Sequence, residues 1–395
     1  MQRVLFLHHV SSVGGGSYCL LNLLKELDRT VFEPLVLLPG EGSLCEEIAR
    51  LGIRVDFFPG MTAYPYCETL ASYRSLRRLA RLLRSFSGFS GYLKEWAPDI
   101  VYFNTLMLFP YLRTARRAGC KTVLHVREHW PPDAHVLQLA GIRRAVYRYA
   151  DQLVAINRFS ASLFPRKEAV TVYDWIDLEA RKGPGIEELT GDACRGCTVY
   201  LYLGGMVPIK GAREVLRTFS EVIRGEDRRL LALGIVPPAD PVPPSGIRAW
   251  LLSRKKGKRY EDAVLDLCAR DQRIICLPAF YDLAAILRQA DGYVSFFTIP
   301  HANLALAECI LSGTPAVAAR TDESLEYSDD GRLGLLYEQG NLEEFQTAWE
   351  KLDKDPALLD ERLQAGAGKV SLLFDRERNA AVFNRMLKGV AGILD

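Results

Sequence analysis

Four stretches of this chain carry residues whose types and spacing suit chemistry on an anionic, hydroxyl-bearing ligand. In the first, Asn303-Leu-Ala-Leu-Ala-Glu308 is followed by Gly313-Thr-Pro315. Asn303 is a good N-cap, Leu304 to Ser312 reads as a short helix, and Gly313 stands at its C-cap. The free amides of such a helix start suit a phosphate. Glu308 lies four residues after Leu304 and three before Leu311, on the apolar flank. A carboxylate buried there needs a partner, such as ligand hydroxyls; a half-exposed one is an ordinary helix glutamate. The second stretch, Gly204-Gly-Met-Val-Pro-Ile-Lys-Gly211, places Lys210 between a strand and a helix, as an anion contact or a solvated loop lysine. The third, Ser11-Ser-Val-Gly-Gly-Gly-Ser17, lets a ligand approach backbone amides, although βα turns also use glycine structurally. The fourth, His125-Val-Arg-Glu-His129, reads as a polar site or as a structural ion pair beside packed histidines.

Each stretch needs an element to hold it. Tyr293 to Phe297 is apolar and β-prone, and Ala316 to Ala319 begins another strand. With the helix between them they make a βαβ unit whose loops lie at the carboxyl edge of a parallel sheet. The same alternation runs through the chain. Strands are expected at Arg3–His8, Phe32–Leu38, Val55–Phe58, Pro98–Asn104, Lys121–Val126, Val199–Leu203, Leu230–Ile235 and Arg273–Leu277. Helices are expected at Tyr18–Leu27, Leu44–Leu51, Leu76–Phe86, Tyr111–Ala118, Ala212–Ile223, Asp282–Gln289, Glu343–Leu352 and Arg376–Leu387. In the helix Leu76–Phe86, Leu76, Leu79, Leu83 and Phe86 share one face and Arg74, Arg77, Arg78, Arg81 and Arg84 lie off it. Residues 181–195, rich in Gly, Pro and charge, read as a linker. Residues 236–260, with five prolines and a basic run at 254–259, read as a surface insertion. Alternating βα units make an α/β protein.

At 395 residues two domains are the natural expectation. No apolar run reaches membrane-spanning length, residues 1–24 do not read as a signal peptide, and a cytoplasmic protein is inferred. Nine cysteines fit free thiols, and Cys194-Arg-Gly-Cys197 lacks the second pair that a zinc site needs, so no metal is expected. The net charge of +2 is uneven. Residues 1–177 carry 22 Lys and Arg against 16 Asp and Glu; the rest carry 28 against 32. A basic N-terminal half suggests an anionic partner such as a membrane surface or a phosphorylated acceptor. The basic run lacks the interleaved aromatics that nucleic-acid binding uses.

The stretch 292–320 resembles the C-terminal signature of GT-B-fold, retaining glycosyltransferases of family four, with Leu304, Glu308, Gly313, Thr314 and Pro315 in order and spacing. The family's first glutamate is replaced by Pro300. Gly204, Lys210 and Gly211 resemble the family's Gly-Arg-x-x-x-x-Lys-Gly, but Gly205 stands at the arginine. Ala150 to Asn157 resembles a family strand, and Val170 to Asp177 and the glycine loop also resemble family segments. The resemblance implies a GT-B fold of two Rossmann-like domains flanking a cleft. Residues 1–178 would bind acceptor, with the C-terminal helix 375–395 packing back on them, and residues 196–374 would bind donor. It implies transfer of a sugar from a nucleotide-sugar donor to a hydroxyl of a glycan or lipid-linked glycan, with retention, in polysaccharide biosynthesis. Lys210 would neutralise the diphosphate, Glu308 would bind ribose, and amides near Asn303 and Leu304 would take phosphate. Gly15, Gly16, Gly204, Gly205 and Phe280 would line the donor site. Arg127 and Glu128 would act with Lys210 and Glu308 in catalysis, with Asn104, His125 and His129 on the acceptor side. The donor is a substrate, and no cofactor or metal is implied. Arg74, Arg77, Arg78, Arg81 and Arg84 would face an anionic membrane at its inner side. A sugar-nucleotide epimerase on the same fold, or an inactive nucleotide-sugar-binding protein, fits the same residues.

Overall fold

A computed structural model describes residues 1–66, 68, 70, 72–131, 135–178, 183–236, 256–280 and 282–393. The chain forms two compact units, Met1–Trp175 with Phe374–Asp395, and Ile176–Leu373.

The first unit is built on a seven-stranded sheet in the order β3-β2-β1-β4-β5-β6-β7. Its strands are β1 (Gln2–Leu7), β2 (Phe32–Leu38), β3 (Arg54–Phe57), β4 (Ile100–Phe103), β5 (Lys121–Val126), β6 (Gln152–Ala155) and β7 (Ala169–Thr171). Every pairing is parallel. The central strands are apolar on both faces because helices cover both. The helices are α1 (Gly15–Glu26), α2 (Ser43–Arg50), α3 (Tyr73–Trp96), α4 (Leu112–Arg117), α5 (Val136–Tyr149) and α6 (Arg158–Ser162). One face holds Leu5, Leu37, Phe89, Phe103 and Tyr111, and the other holds Phe6, Leu20, Val36, Tyr102 and Phe383. Phe383 arrives on the last helix, Arg376–Ala391, where Asn384 accepts from the Asp28 amide and donates to the Glu26 carbonyl.

The second unit has a six-stranded parallel sheet in the order β10-β9-β8-β11-β12-β13. The strands are β8 (Thr198–Tyr202), β9 (Arg228–Leu233), β10 (Ile274–Leu277), β11 (Gly292–Val294), β12 (Ala316–Arg320) and β13 (Leu335–Glu338). Its helices are α7 (Ile186–Thr190), α8 (Ala212–Glu221), α9 (Lys256–Arg270), α10 (Ala284–Gln289), α11 (Leu304–Ser312), α12 (Asp322–Tyr327), α13 (Leu342–Lys354) and α14 (Asp360–Leu373); the last helix of the first unit is α15. An aromatic stack of Phe219, Phe296, Tyr337, Phe345 and Trp349 fills one face. In both sheets the order reverses once, between β1 and β4 and between β8 and β11. A doubly wound sheet opens a crevice outside its strands' carboxyl ends at such a reversal.

Several elements differ from the sequence reading. Helix α1 starts at Gly15 rather than Tyr18, so Gly15 and Gly16 form its first turn. Strand β11 ends at Val294, although the Ser295 amide still donates to the Val317 carbonyl at 3.0 Å. Residues 183–195 are folded rather than a linker: Ile186 and Cys194 are buried, and the Ile186 amide donates to Gln289 at 2.7 Å. Of the expected insertion, 237–255 lies outside the described residues, and Lys256 onward is already α9. Helix α3 runs over 24 residues, and its inward stripe is Ser75, Leu82, Ser85, Phe89 and Leu93. Leu79 and Phe86 are partly buried at its margin, but Leu76 and Leu83 point outward. The serines can face inward because they are bonded there, Ser85 to the Leu82 carbonyl and the Tyr111 hydroxyl, and Ser75 to Ser72.

Candidate functional site

At the β1/β4 reversal, the strand ends converge on Arg127. Its side chain is only 9% exposed, and Nη1 donates to both Asp174 oxygens at 2.8 Å. Burial opposes the charge, and the Asp174 carboxylate more than offsets this, so the guanidinium titrates above its ordinary value. Arg127 Nε donates to Asn104 Oδ1 at 3.1 Å, which leaves the Asn104 amide group to donate to His8 Nδ1, also at 3.1 Å. Burial, reinforced by the charges of His9 and Arg127, holds the His8 pKa well below its ordinary value. His8 is therefore neutral with its proton on Nε2, which donates to Ser17 Oγ at 3.0 Å; Ser17 donates to the Ser12 carbonyl at 2.8 Å. A directional chain thus runs from Arg127 to the glycine loop. The donor Arg127 Nη2 and the ring atoms His9 Nδ1 and His125 Nε2 are buried without a partner among the described residues.

The remaining residues of the fourth stretch turn inward. The Glu128 carboxylate accepts from the Thr105 hydroxyl and from the Leu106 and Arg127 amides at 2.9 and 3.0 Å. It caps the 3₁₀ turn Leu106–Tyr111 after β4, and burial raises its pKa against those bonds. His125 is fully buried, bonded to the Tyr102 hydroxyl at 2.7 Å. His129 stacks on Phe159 with ring centroids 4.0 Å apart. These three side chains hold the strand end in place. Asn104 is a buried hub that also donates to the Gly16 carbonyl at 3.4 Å. A Cβ on Gly14 or Gly15 would meet nothing within 4 Å, and one on Gly16 would meet only His8 Cε1 at 4.0 Å. Neither packing nor a positive φ requires glycine there, and the α1 amides have no side-chain cap.

At the β8/β11 reversal, Asn303 caps α11. Its Oδ1 accepts from the Leu306 amide at 3.3 Å and the Tyr293 hydroxyl at 3.0 Å, and its Nδ2 donates to Ser295 Oγ at 3.1 Å. With its side chain consumed internally, the group available to a ligand is the helix start at Leu304. Glu308 is buried on the same helix, 7% exposed. Lys210 ends the short turn after β8. Burial lowers its pKa, and among the described residues it has no carboxylate partner. Gly211, with φ 65°, abuts Phe296: a Cβ there would lie 1.9 Å from the Phe296 carbonyl oxygen. Gly205, with φ 60°, lies against Gly234, whose φ is 80°. The Tyr202 hydroxyl bonds the Gly205 and Lys210 carbonyls at 3.0 and 3.1 Å and fixes the loop. Phe280 is half-buried after β10, and Tyr281 lies outside the described residues. No group of metal-ligating side chains occurs among the described residues.

Residues 14–171 match the model of the glycosyl transferase 4-like domain. HepE from Anabaena, solved with UDP-glucose, is 17% identical, with 98% of this chain and 100% of that chain covered and a TM-score of 0.74. Sucrose-phosphate synthase from Thermosynechococcus elongatus is 13% identical over 100% of both chains, TM-score 0.72. A UDP-forming trehalose-phosphate synthase from Burkholderia xenovorans is 14% identical over 99% and 98%, TM-score 0.68. These likenesses establish the GT-B fold. No curated protein sequence matches the chain.

Sequence reasoning passed over His8 and His9 in the first unit, although a His pair at a strand's carboxyl end is itself a signal. Asp174 was visible only as a motif position; its pairing with Arg127 depends on β5, β6 and β7 lying side by side.

Two outcomes follow. Burial holds the pKa of His8, His9 and His125 below the ordinary imidazole value, so the unfolded chain binds more protons below pH 6.5. Stability should be fully present above that pH and fall as pH drops, by up to about 1.4 kcal/mol per unit for each histidine. Urea unfolding at several pH values should show this, and His8→Gln should flatten the slope. Separately, Gly16→Ala should leave stability unchanged or raise it by about 0.5–1 kcal/mol, since Ala suits a helix better. Turnover should nonetheless fall if a ligand approaches the bare backbone; unchanged turnover would leave the glycine without a ligand role.

Proposed function

We propose that the protein is a retaining glycosyltransferase that moves a sugar from a nucleotide-sugar donor to a hydroxyl of a glycan or lipid-linked glycan. The observation that carries this reading is the glycosyl transferase 4-like match over residues 14–171. The second unit takes the donor: Lys210 and the α11 amides meet the diphosphate, Glu308 accepts from the ribose hydroxyls, and Phe280 packs on the base. The first unit takes the acceptor on the side of Arg127 and Asn104, with Gly15 and Gly16 open to a ligand. In the reaction the bond from the anomeric carbon to the phosphate oxygen breaks, and the acceptor oxygen bonds to the same face. The acceptor proton is released with the nucleoside diphosphate. HepE was solved with UDP-glucose and with UDP and glucose, which supports a uridine nucleotide as the first donor to test. We place the enzyme in the cytoplasm, in polysaccharide biosynthesis.

Charge grows on the diphosphate as that bond breaks, so Lys210→Ala should lower kcat more than it weakens donor binding. Steady-state kinetics checks this; a change in KM alone would assign Lys210 to uniform binding. Glu308→Gln keeps the shape and removes the charge, and should weaken nucleotide affinity by about 1.5–3 kcal/mol by calorimetry, the scale of a charged hydrogen bond. Unchanged affinity in a folded variant would remove Glu308 from the donor site.

A further inference from the structure

Away from both sheet reversals, two nucleophilic side chains meet in the second unit. Helix α9 leads into β10 through a short turn, Asp271-Gln-Arg273. Arg273 fixes this turn. It donates to Asp271 Oδ2 at 2.7 Å and to the Ile223 carbonyl at 2.9 Å, and its guanidinium lies 4.8 Å from the Phe219 ring centroid. Cys268 stands in the last turn of α9, and Cys276 is the third residue of β10. Val264 and Cys268 share one flank of the helix, and Ile274 and Cys276 share one face of the strand. All four pack into the same core, so the two thiols face each other where the helix covers the sheet edge.

Both thiols are free and half-buried, so a small reagent in water can reach them. They interact directly. The Cys276 thiol raises the Cys268 pKa above its ordinary value, and burial reinforces this. The Cys268 thiol lowers the Cys276 pKa, against the effect of burial. Cys268 therefore keeps its proton and offers it to a thiolate on Cys276. Burial, by contrast, raises the thiols of Cys19, Cys120, Cys194 and Cys309. An accessible thiolate beside a second, protonated thiol is the arrangement that exchanges disulfides.

We propose that Cys268 and Cys276 are a reversible oxidation site, closed to a disulfide by a small-molecule disulfide such as oxidised glutathione. The Cys276 thiolate attacks one sulfur of the oxidant and expels the first glutathione as a thiolate. Cys268 then gives up its proton and attacks the Cys276 sulfur of the mixed disulfide, expelling the second glutathione. One disulfide is reduced to two thiols while the protein pair is oxidised, so electrons and protons balance. The new bond joins the end of α9 to an edge strand. Nearer the start of α9, the Tyr260 hydroxyl accepts from the Arg213 amide at 3.2 Å, and the Arg213 guanidinium lies over the Tyr260 ring at 5.9 Å. Oxidation thus pins at both ends the helix that braces the first turn of α8.

The test is incubation of the reduced full chain with oxidised glutathione, alkylation of the remaining thiols, and tryptic digestion without reduction. Trypsin cuts after Arg270 and Arg273, so the two cysteines fall in separate peptides, residues 260–270 and 274–288, which only a disulfide joins. Mass spectrometry should find that joined pair, and dithiothreitol should release it. The oxidised chain should melt at least about 2 °C above the reduced chain, because the bond closes a loop. Cys276→Ser should abolish both changes, and Cys268→Ser should stop at glutathione bound to Cys276. Both substitutions nearly keep the side-chain shape, and circular dichroism checks the folds. Thiols that stay reduced, a Cys194–Cys197 linkage in place of this one, or a joined pair without a rise in melting temperature overturns the proposal. The assay uses neither donor nor acceptor, so its failure leaves the transferase reading standing, and loss of that reading leaves the thiol pair.

Discussion

A guanidinium held almost entirely out of water needs a carboxylate, and the carboxyl edge of the first sheet is arranged around that need. Asp174 supplies the counter-charge to Arg127 from beyond β7, two strand positions from β5, which the arginine leaves. Removing one partner of such a pair leaves an uncompensated buried charge, typically a loss of about 3–5 kcal/mol. The remaining donors of Arg127 then dictate which way Asn104 faces, and Asn104 dictates the tautomer of His8. A single ion pair thereby sets the hydrogen-bond polarity of four strand ends and of the loop that opens α1. Each bond has one permissible direction, so the edge is rigid as a unit.

The second unit meets the same physical problem with fewer charges. Its helix start is shaped by Asn303, Tyr293 and Ser295, all neutral, and its one loop cation, Lys210, is left without an internal counter-ion among the described residues. A loop that has consumed its polar side chains internally while sparing a lysine and a row of amides is prepared for a charge from outside.

Much of this was readable in the residues. Helix α11 has the limits that Asn303 and Gly313 announce, because a cap and a left-handed C-terminal residue act locally. The parallel strands follow from short apolar runs that only a doubly covered sheet can bury. The failures have a common cause. The Arg127–Asp174 pair and the His8 chain join residues distant in sequence, and nothing local marks them. The inward face of α3 was misjudged because two of its members are serines and two others, Phe89 and Leu93, lie beyond the turns that looked amphipathic. Ser85, bonded to Tyr111, and Ser75, bonded to Ser72, took inward places that the pattern gave to leucines, which hydrophobicity cannot anticipate.

The meeting of Gly205 and Gly234 has a consequence for how this loop can change over generations. A side chain at 205 would have to adopt a left-handed backbone, at about 1–2 kcal/mol, and set its Cβ 3.3 Å from the Gly234 carbonyl oxygen. An arginine there, as in the family pattern that Gly204 to Gly211 resembles, would require the facing loop to move. Gly205 and Gly234 are therefore epistatic: each restricts what the other can become. A larger residue at either position therefore calls for a change in both loops together.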